Sequence, residues 1–257
     1  MRDEIRLRVV NPNTTRAMTD LVGRSARVVA GPGVTVEAVQ PTTGPASIES
    51  HYEEALAAVG VLEQVRLGEA GGVDAYVLAC FGDPGLDAAR ELARGPVVGI
   101  AEAAFHAATM VARRFSVVTS LGRTVGRAHE LLDRYGFAGA CAGVHACEIP
   151  VLQIEAPGAL ERVTAACRAA VEADDVDAVV LGCAGMAGYT RRISDAVGVP
   201  VVDGVTAATT FATALVRAGL RTSTRSEYAP PPPKAVPGLL GAFAVGHPPA
   251  LTAVTSG

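Results

Sequence analysis

Short apolar runs alternate with longer segments of helical spacing along most of the chain. Leu7 to Val10 is an apolar run ending in NPNTT, where Asn and Thr favour turns and helix caps. Val34 to Val39 predicts a second strand, followed by the polar loop QPTTGPASIES. Residues from about Ile48 to Leu67 then carry apolar positions at helical spacing. A strand over Ala75–Ala79, a helix opening near Asp83-Pro84 and a strand over Val97–Ile100 come next. Asp suits a cap and Pro the first helical position, so DPG predicts that helix start.

The plan then repeats. RFSVVTSLGRT, from Arg114 to Thr124, is like RLRVVNPNTT in feeding a polar turn from a strand, and it aligns Thr119 with Asn11. A helix over about Val125–Tyr135, a weaker strand near Gly143–Glu148 and a helix over about Glu155–Ala173 follow. They lead to VDAVVLGCAGMAG at Val176–Gly188, which matches VDAYVLACFGDPG at Val73–Gly85 in 8 of 13 positions, 103 residues apart. PVVDGVTAATTFATALV from Pro200 parallels PVVGIAEAAFHAATMV from Pro96 at an offset of 104, so the duplication covers most of each half. Strands separated by helices imply parallel βαβ units with right-handed crossovers. Ligands of such sheets bind outside the carboxyl ends of the strands, where both Cys-containing turns fall. Periodicity fades from Ser223, and the prolines after Tyr228 predict an extended or mobile extension, a packed interface arm being the alternative.

Composition removes several classes. The chain has 257 residues, 49% apolar but only 4% aromatic, which suits a sheet built from small branched side chains. A net charge of −4 offers no basic footprint for nucleic acid. No run of about 18 apolar residues predicts a membrane span. The start, MRDEIRLRVV, carries charges where a signal peptide needs an apolar segment, so the expected location is cytoplasmic. Five cysteines, an odd number without CxxC, then read as free thiols.

The candidate chemistry lies in Cys80 and Cys183, one at each equivalent strand end of the duplication. A buried cysteine alone is most simply a small hydrophobe. Recurrence at one position of a duplicated strand–turn–helix instead suggests two thiols facing each other across a cleft. A thiol near its reference pKa, lowered by a helix N-terminus, leaves one member of the pair as thiolate. The thiolate removes a proton from carbon, and its partner delivers one to the opposite face. Backbone N–H groups of the Gly-rich turns are expected to stabilise the enolate oxygen, with no cofactor. Cys141, His145 and Cys147, in CAGVHAC, lack zinc spacing and a fourth ligand, so no metal is expected. Cys167 falls on a predicted helix as a packed residue, whereas His51, His106, His129 and His247 have no motif around them. There is no GxSxG elbow, GxGxxG or phosphate-binding GxxxxGK[ST].

With VVNPNTT, ACFGDPGLDAAR around Cys80 and VLGCAGM around Cys183, the chain resembles the aspartate/glutamate/hydantoin racemase superfamily over roughly residues 5 to 220, in its hydantoin and allantoin racemase branch. The resemblance implies two pseudo-symmetric Rossmann-like α/β lobes with parallel sheets, and a cofactor-independent two-base site in the cleft between them. Lobe 1 is expected over 1–100 plus about 207–222, lobe 2 over 101–206, and a Pro-rich extension over 223–257. Catalysis maps to Cys80 and Cys183. Substrate loops map to Asn11, Thr43, Gly44, Pro45, Phe81, Gly82, Thr119, Ser120, Ala184 and Gly185. Asn11 also fits a purely local turn or cap role, and Asp83 fits a helix cap better than an acid–base group. Amino-acid racemases of the superfamily typically follow the first Cys with Asn-Thr. Phe81-Gly82-Asp83 stands there instead, where an acidic residue disfavours a carboxylate and Phe81 suits a flat ring. That tilts the substrate towards a small cyclic ureide or related carbon acid; a homo-oligomer is also implied. A maleate-type isomerase, an amino-acid racemase, a decarboxylase (which in this superfamily keeps only the second cysteine) and a ligand-binding protein without turnover are the alternatives.

Overall fold

The computed structural model describes residues 4–245; His247 and the rest of the C-terminal extension lie outside them. Two four-stranded, wholly parallel sheets form the frame. In the first, β1 (Ile5–Val10) leads through α1 (Arg16–Ala30) to β2 (Val34–Val39), and α2 (His51–Gly71) to β3 (Ala75–Leu78); α3 (Leu86–Leu92), β4 (Val97–Gly99) and α4 (Ile100–Val111) complete it. In the second, β5 (Phe115–Thr119), α5 (Val125–Tyr135), β6 (Cys141–Ala146), α6 (Ala159–Asp174), β7 (Ala178–Gly182), α7 (Thr190–Val197), β8 (Val201–Asp203) and α8 (Gly204–Arg217) repeat the order. Strand orders β2-β1-β3-β4 and β6-β5-β7-β8 are the same arrangement twice. Each sheet winds one way from its first strand and the other way from its third. Between those two strands opens the crevice that parallel sheets offer to ligands.

The lobes are joined by exchange. α4 leaves the first sheet and packs on β7 of the second, while α8 returns from the second to pack on β3 and β4 of the first; the two helices also pack on each other. One buried cluster therefore runs through both lobes, from Leu7, Val9 and Val77 to Phe115, Val117 and Val180, through Phe105 and Val205 of the exchanged helices. Small residues make this close approach possible: Ala101, Ala104, Ala108, Ala208 and Ala212 are fully buried.

Several predicted boundaries move for local reasons. α2 starts at His51 because Ser50 caps it: Ser50 Oγ accepts from the Glu53 N–H at 3.3 Å, and Glu53 Oε2 accepts from the Ser50 hydroxyl at 2.9 Å and from the Glu49 N–H at 2.7 Å, a variant of the capping box shifted by one residue. α6 starts at Ala159, not Glu155, after a 3-10 turn at Val151–Gln153 and Gly158 at φ 81°. The helix expected at Asp83-Pro84 begins only at Leu86. Asp83, at φ 45°, caps a different helix: its carboxylate accepts from the Ala101 and Glu102 N–H groups of α4 at 3.2 and 3.1 Å. The duplication explains why. α8 is capped by Asp203, which accepts from the N–H groups of Val205 and Thr206, both at 3.0 Å. Gly99 occupies the equivalent position in lobe 1, opposite Leu78 as Asp203 is opposite Leu181. A Cβ on Gly99 would overlap the Asp83 carboxylate, which fills the missing cap from the Cys80 turn. Asp83 Oδ2 also accepts from the Tyr135 hydroxyl of α5 at 2.9 Å.

The extension from Ser223 is extended and mostly exposed, with contacts along the outside of the first lobe. Tyr228 donates to Asp87 at 3.2 Å and lies under the Arg90 guanidinium, and Arg66 lies over the Phe243 ring. Among the described residues no helix is long and apolar enough to cross a membrane.

Asp83→Ala strands two helix amides and a buried hydroxyl and is expected to cost about 3 kcal/mol of unfolding free energy. Asp203→Ala strands two amides only and should cost about 1.5 kcal/mol. Urea denaturation measures both; equal losses would mean that the contact with Tyr135 across the lobes contributes nothing.

Candidate active site

The cysteines stand just beyond the carboxyl ends of the third strands, Cys80 two residues after β3 and Cys183 one residue after β7, and both line one cleft between the lobes. Their turns are built alike. The Cys80 carbonyl accepts from the Asp83 N–H and the Cys183 carbonyl from the Met186 N–H, each at 3.0 Å. In each turn the N–H two residues on, of Gly82 for Cys80 and of Gly185 for Cys183, acts on the sulfur. These amides, expected to serve an enolate oxygen, also favour the thiolate form of the sulfurs.

Burial dominates the electrostatics. It pushes the Cys80 thiol up to about 12 and the Cys183 thiol up to about 11, against the help of the glycine N–H groups. Negative neighbours add to this, Glu54 for Cys80 and Glu49 for Cys183. Burial thus works against the lowering expected from a helix N-terminus and favours the thiol form at both positions.

The turns differ in what grips them from the opposite lobe. One face of α5 holds the Cys80 side through Arg127, Arg134 and Tyr135, seven and eight residues apart. Arg127 Nη2 donates to the Gly82 carbonyl at 2.8 Å, Arg134 pairs with Asp87, and Tyr135 meets Asp83. Arg127 Nε is also 3.3 Å from Glu54, whose carboxylate lies so close over Gly82 that a Cβ there would overlap it. The equivalent helix α1 holds the Cys183 side with apolar residues, Met18 against Gly185 and Leu21 against Gly188. One turn is gripped by polar, ion-paired side chains and the other by apolar ones.

Of the sequence-derived candidates, Phe81, Gly82, Thr119, Ser120 and Ala184 line the cleft with the two cysteines, and Gly185 supports its sulfur. Phe81 is mainly a core residue, meeting Phe105 edge-on at 5.6 Å. Asn11 lies behind the cleft wall: its Nδ2 donates to Asn13 Oδ1 at 2.9 Å and to Thr19 Oγ1 at 3.0 Å. Asn13 is the asparagine of NPN that lines the cleft. Its Oδ1 is held by Asn11 Nδ2 and the Thr15 N–H, leaving its Nδ2 as the side that can donate to a ligand. Thr43, Gly44 and Pro45 do not line the cleft; Pro45 and Ala46 carbonyls accept from Thr14 and Thr15 and brace the NPNTT turn from outside.

Sequence reading missed the rim formed by the start of α2 and by the loop after β5: Glu49, Ser50, His51 and Glu54 on one side, Arg123, Thr124 and Arg127 on the other. The capping box at Ser50–Glu53 was the available signal for the first group. The second had none beyond its alignment with the NPNTT turn. CAGVHAC holds no metal cluster among the described residues; His145 Nε2 bonds Asp174 at 2.6 Å and Cys147 Sγ donates to the Ser120 carbonyl at 3.6 Å. Cys167 is fully buried on α6, as expected.

Fold and cleft define a duplicated, two-lobed α/β protein with one thiol from each half on a shared site. The chain belongs to the Asp/Glu/hydantoin racemase family, whose model matches residues 7–212. The structure of an allantoin racemase from Klebsiella pneumoniae is 51% identical with a TM-score of 0.92, covering 94% of this chain and 100% of its own. Another, from Pseudomonas fluorescens, is 40% identical with a TM-score of 0.88, covering 91% of this chain and 100% of its own. A hydantoin racemase of Rhizobium meliloti is 47% identical over 234 residues, 90% of this chain and 97% of the relative.

With burial favouring the thiol form, iodoacetamide should alkylate Cys80 slowly at pH 7 and about tenfold faster for each pH unit up to pH 9. Peptide mapping by mass spectrometry separates Cys80 from the other cysteines. A rate that levels off near pH 7 would show a preformed thiolate instead.

Proposed function

We propose that this chain is a cofactor-independent racemase of 5-substituted hydantoins, with Cys80 and Cys183 as the two proton-transfer groups. The observation that carries the reading is the pair of equivalent thiols, one from each lobe, lining one cleft. In each turnover one cysteine acts as thiolate and takes the proton from C5. The electron pair left on carbon spreads into the adjacent ring carbonyl, giving a planar enolate. The other cysteine, still a thiol, delivers its proton to the opposite face and becomes the thiolate. The opposite enantiomer runs the same path with the roles exchanged.

The glycine N–H groups favour the thiolate at each sulfur, and the Asn13 Nδ2 and Ser120 hydroxyl are the donors left to face the ring carbonyls. The substrate must supply the remaining driving force through an acidic C5–H, which a cyclic ureide has and a free amino acid lacks. The polar rim of Ser50, His51, Arg123 and Thr124 suits a C5 arm that carries hydrogen-bonding groups. Allantoin, with a ureido arm, is therefore the preferred member of the class. That choice agrees with the names of the two structural relatives.

A single enantiomer of allantoin in D₂O should lose its optical rotation with matching deuterium entry at C5, well above the buffer rate and unchanged by a chelator. Between pH 6 and 8 kcat/KM should rise about tenfold per unit, because a thiol near 11 is thiolate in only about one molecule in ten thousand at pH 7. Loss of rotation no faster than in buffer, with allantoin and with 5-methylhydantoin alike, would overturn the reading.

A further inference from the structure

Two arginines reach the cleft, and only one is spent on the protein. Arg127 is held by the protein: Nη2 donates to the Gly82 carbonyl at 2.8 Å, Nη1 pairs with Glu130 at 3.1 Å, and Nε, buried without a hydrogen-bond partner, lies 3.3 Å from the Glu54 carboxylate. Arg123, on the same rim, is exposed and has no hydrogen bond or ion pair among the described residues. The backbone beneath it is nonetheless fixed. The Gly122 N–H donates to Glu148 at 2.9 Å, the Thr124 N–H to the Leu121 carbonyl at 3.0 Å, and the Thr124 and Thr119 hydroxyls share a hydrogen bond of 2.9 Å. A long cationic side chain without a partner, on a pinned turn at the mouth of a polar cleft, has the form of a ligand-reading group.

We propose that Arg123 determines specificity by reading a carbonyl-bearing arm at C5 of the substrate, an inference that rests on the racemase reading above. The reacting carbon lies between the thiols and the ring turns inward towards Asn13 and Ser120. The arm then extends to the mouth, where the guanidinium donates to its carbonyl oxygen. A ureido arm offers that acceptor; an alkyl arm offers none. Two of the other rim groups are already engaged, Ser50 Oγ in the α2 cap and Thr124 Oγ1 on the Leu121 carbonyl, while His51 lies near the Glu54 carboxylate.

Arg123→Met tests this, and the exposed position leaves the fold intact. With allantoin, kcat/KM should fall about tenfold or more, mainly through KM, whereas with 5-methylhydantoin it should change less than about twofold. Arg123→Lys should recover only part of the loss, since an ammonium lacks the planar fork. An equal loss on both substrates, or none on allantoin, would overturn the assignment. Calorimetric binding of allantoin to the Cys80→Ser/Cys183→Ser protein, with and without Arg123→Met, gives a readout that needs no turnover. A Kd raised about tenfold there supports the role of Arg123 even if the wild-type chain fails to racemise. No binding, or an unchanged Kd, contradicts it.

Discussion

The exchange of α4 and α8 between the two sheets is the interaction on which the rest of the molecule depends. Each helix starts at the end of one sheet and is buried against the other, so neither lobe completes its core alone. Alanines at the helix crossing allow that approach, and the aromatic set around Phe105 fills the space where the lobes meet. Because the fourth strand of each sheet feeds an exchanged helix, the carboxyl ends of both sheets are held facing one another. The cleft follows from this packing.

Within that frame the two halves have diverged where duplication left them free. Asp203 caps its own helix, whereas in lobe 1 the cap comes from Asp83 on the Cys80 turn, so the turn carrying one thiol is tied to α4 and, through Tyr135, to the other lobe. Burial pushes the Asp83 carboxyl up to about 7 against these three donors. The Cys183 turn has no such ties and rests on Met18 and Leu21. Chemically equivalent thiols thus sit in unlike surrounds, which gives the two protonation states of the pair unequal energies. Both surrounds favour the thiol over the thiolate. The chemistry therefore leans on the acidity of the substrate carbon, which fits a cyclic ureide.

Much of this was legible in the chain. The duplication, the alternation of strand and helix and the recurrence of Cys at one position of the repeat locate both thiols at strand ends. Hydrophobic runs and local turns are short-range properties, and they survive folding. What was illegible depends on contacts distant in sequence. Asn11 and Asn13 are indistinguishable as letters of NPN until Thr19 and Thr15 select which one faces inward. Asp83 resembles the cap of the next helix until Gly99 reveals the vacancy it fills. Thr43-Gly44-Pro45 has the composition of a ligand loop yet braces another one. The raised thiols reflect burial between two lobes, which outweighs the local turn geometry.

The central claim is that Cys80 and Cys183 serve opposite faces of one carbon. Deuterium exchange at C5, measured separately for each enantiomer of allantoin in Cys80→Ser and Cys183→Ser, tests it most directly. The account predicts that neither variant racemises, and that exchange without inversion persists for one enantiomer in one variant and for the other enantiomer in the other. Full racemisation by either variant would contradict it.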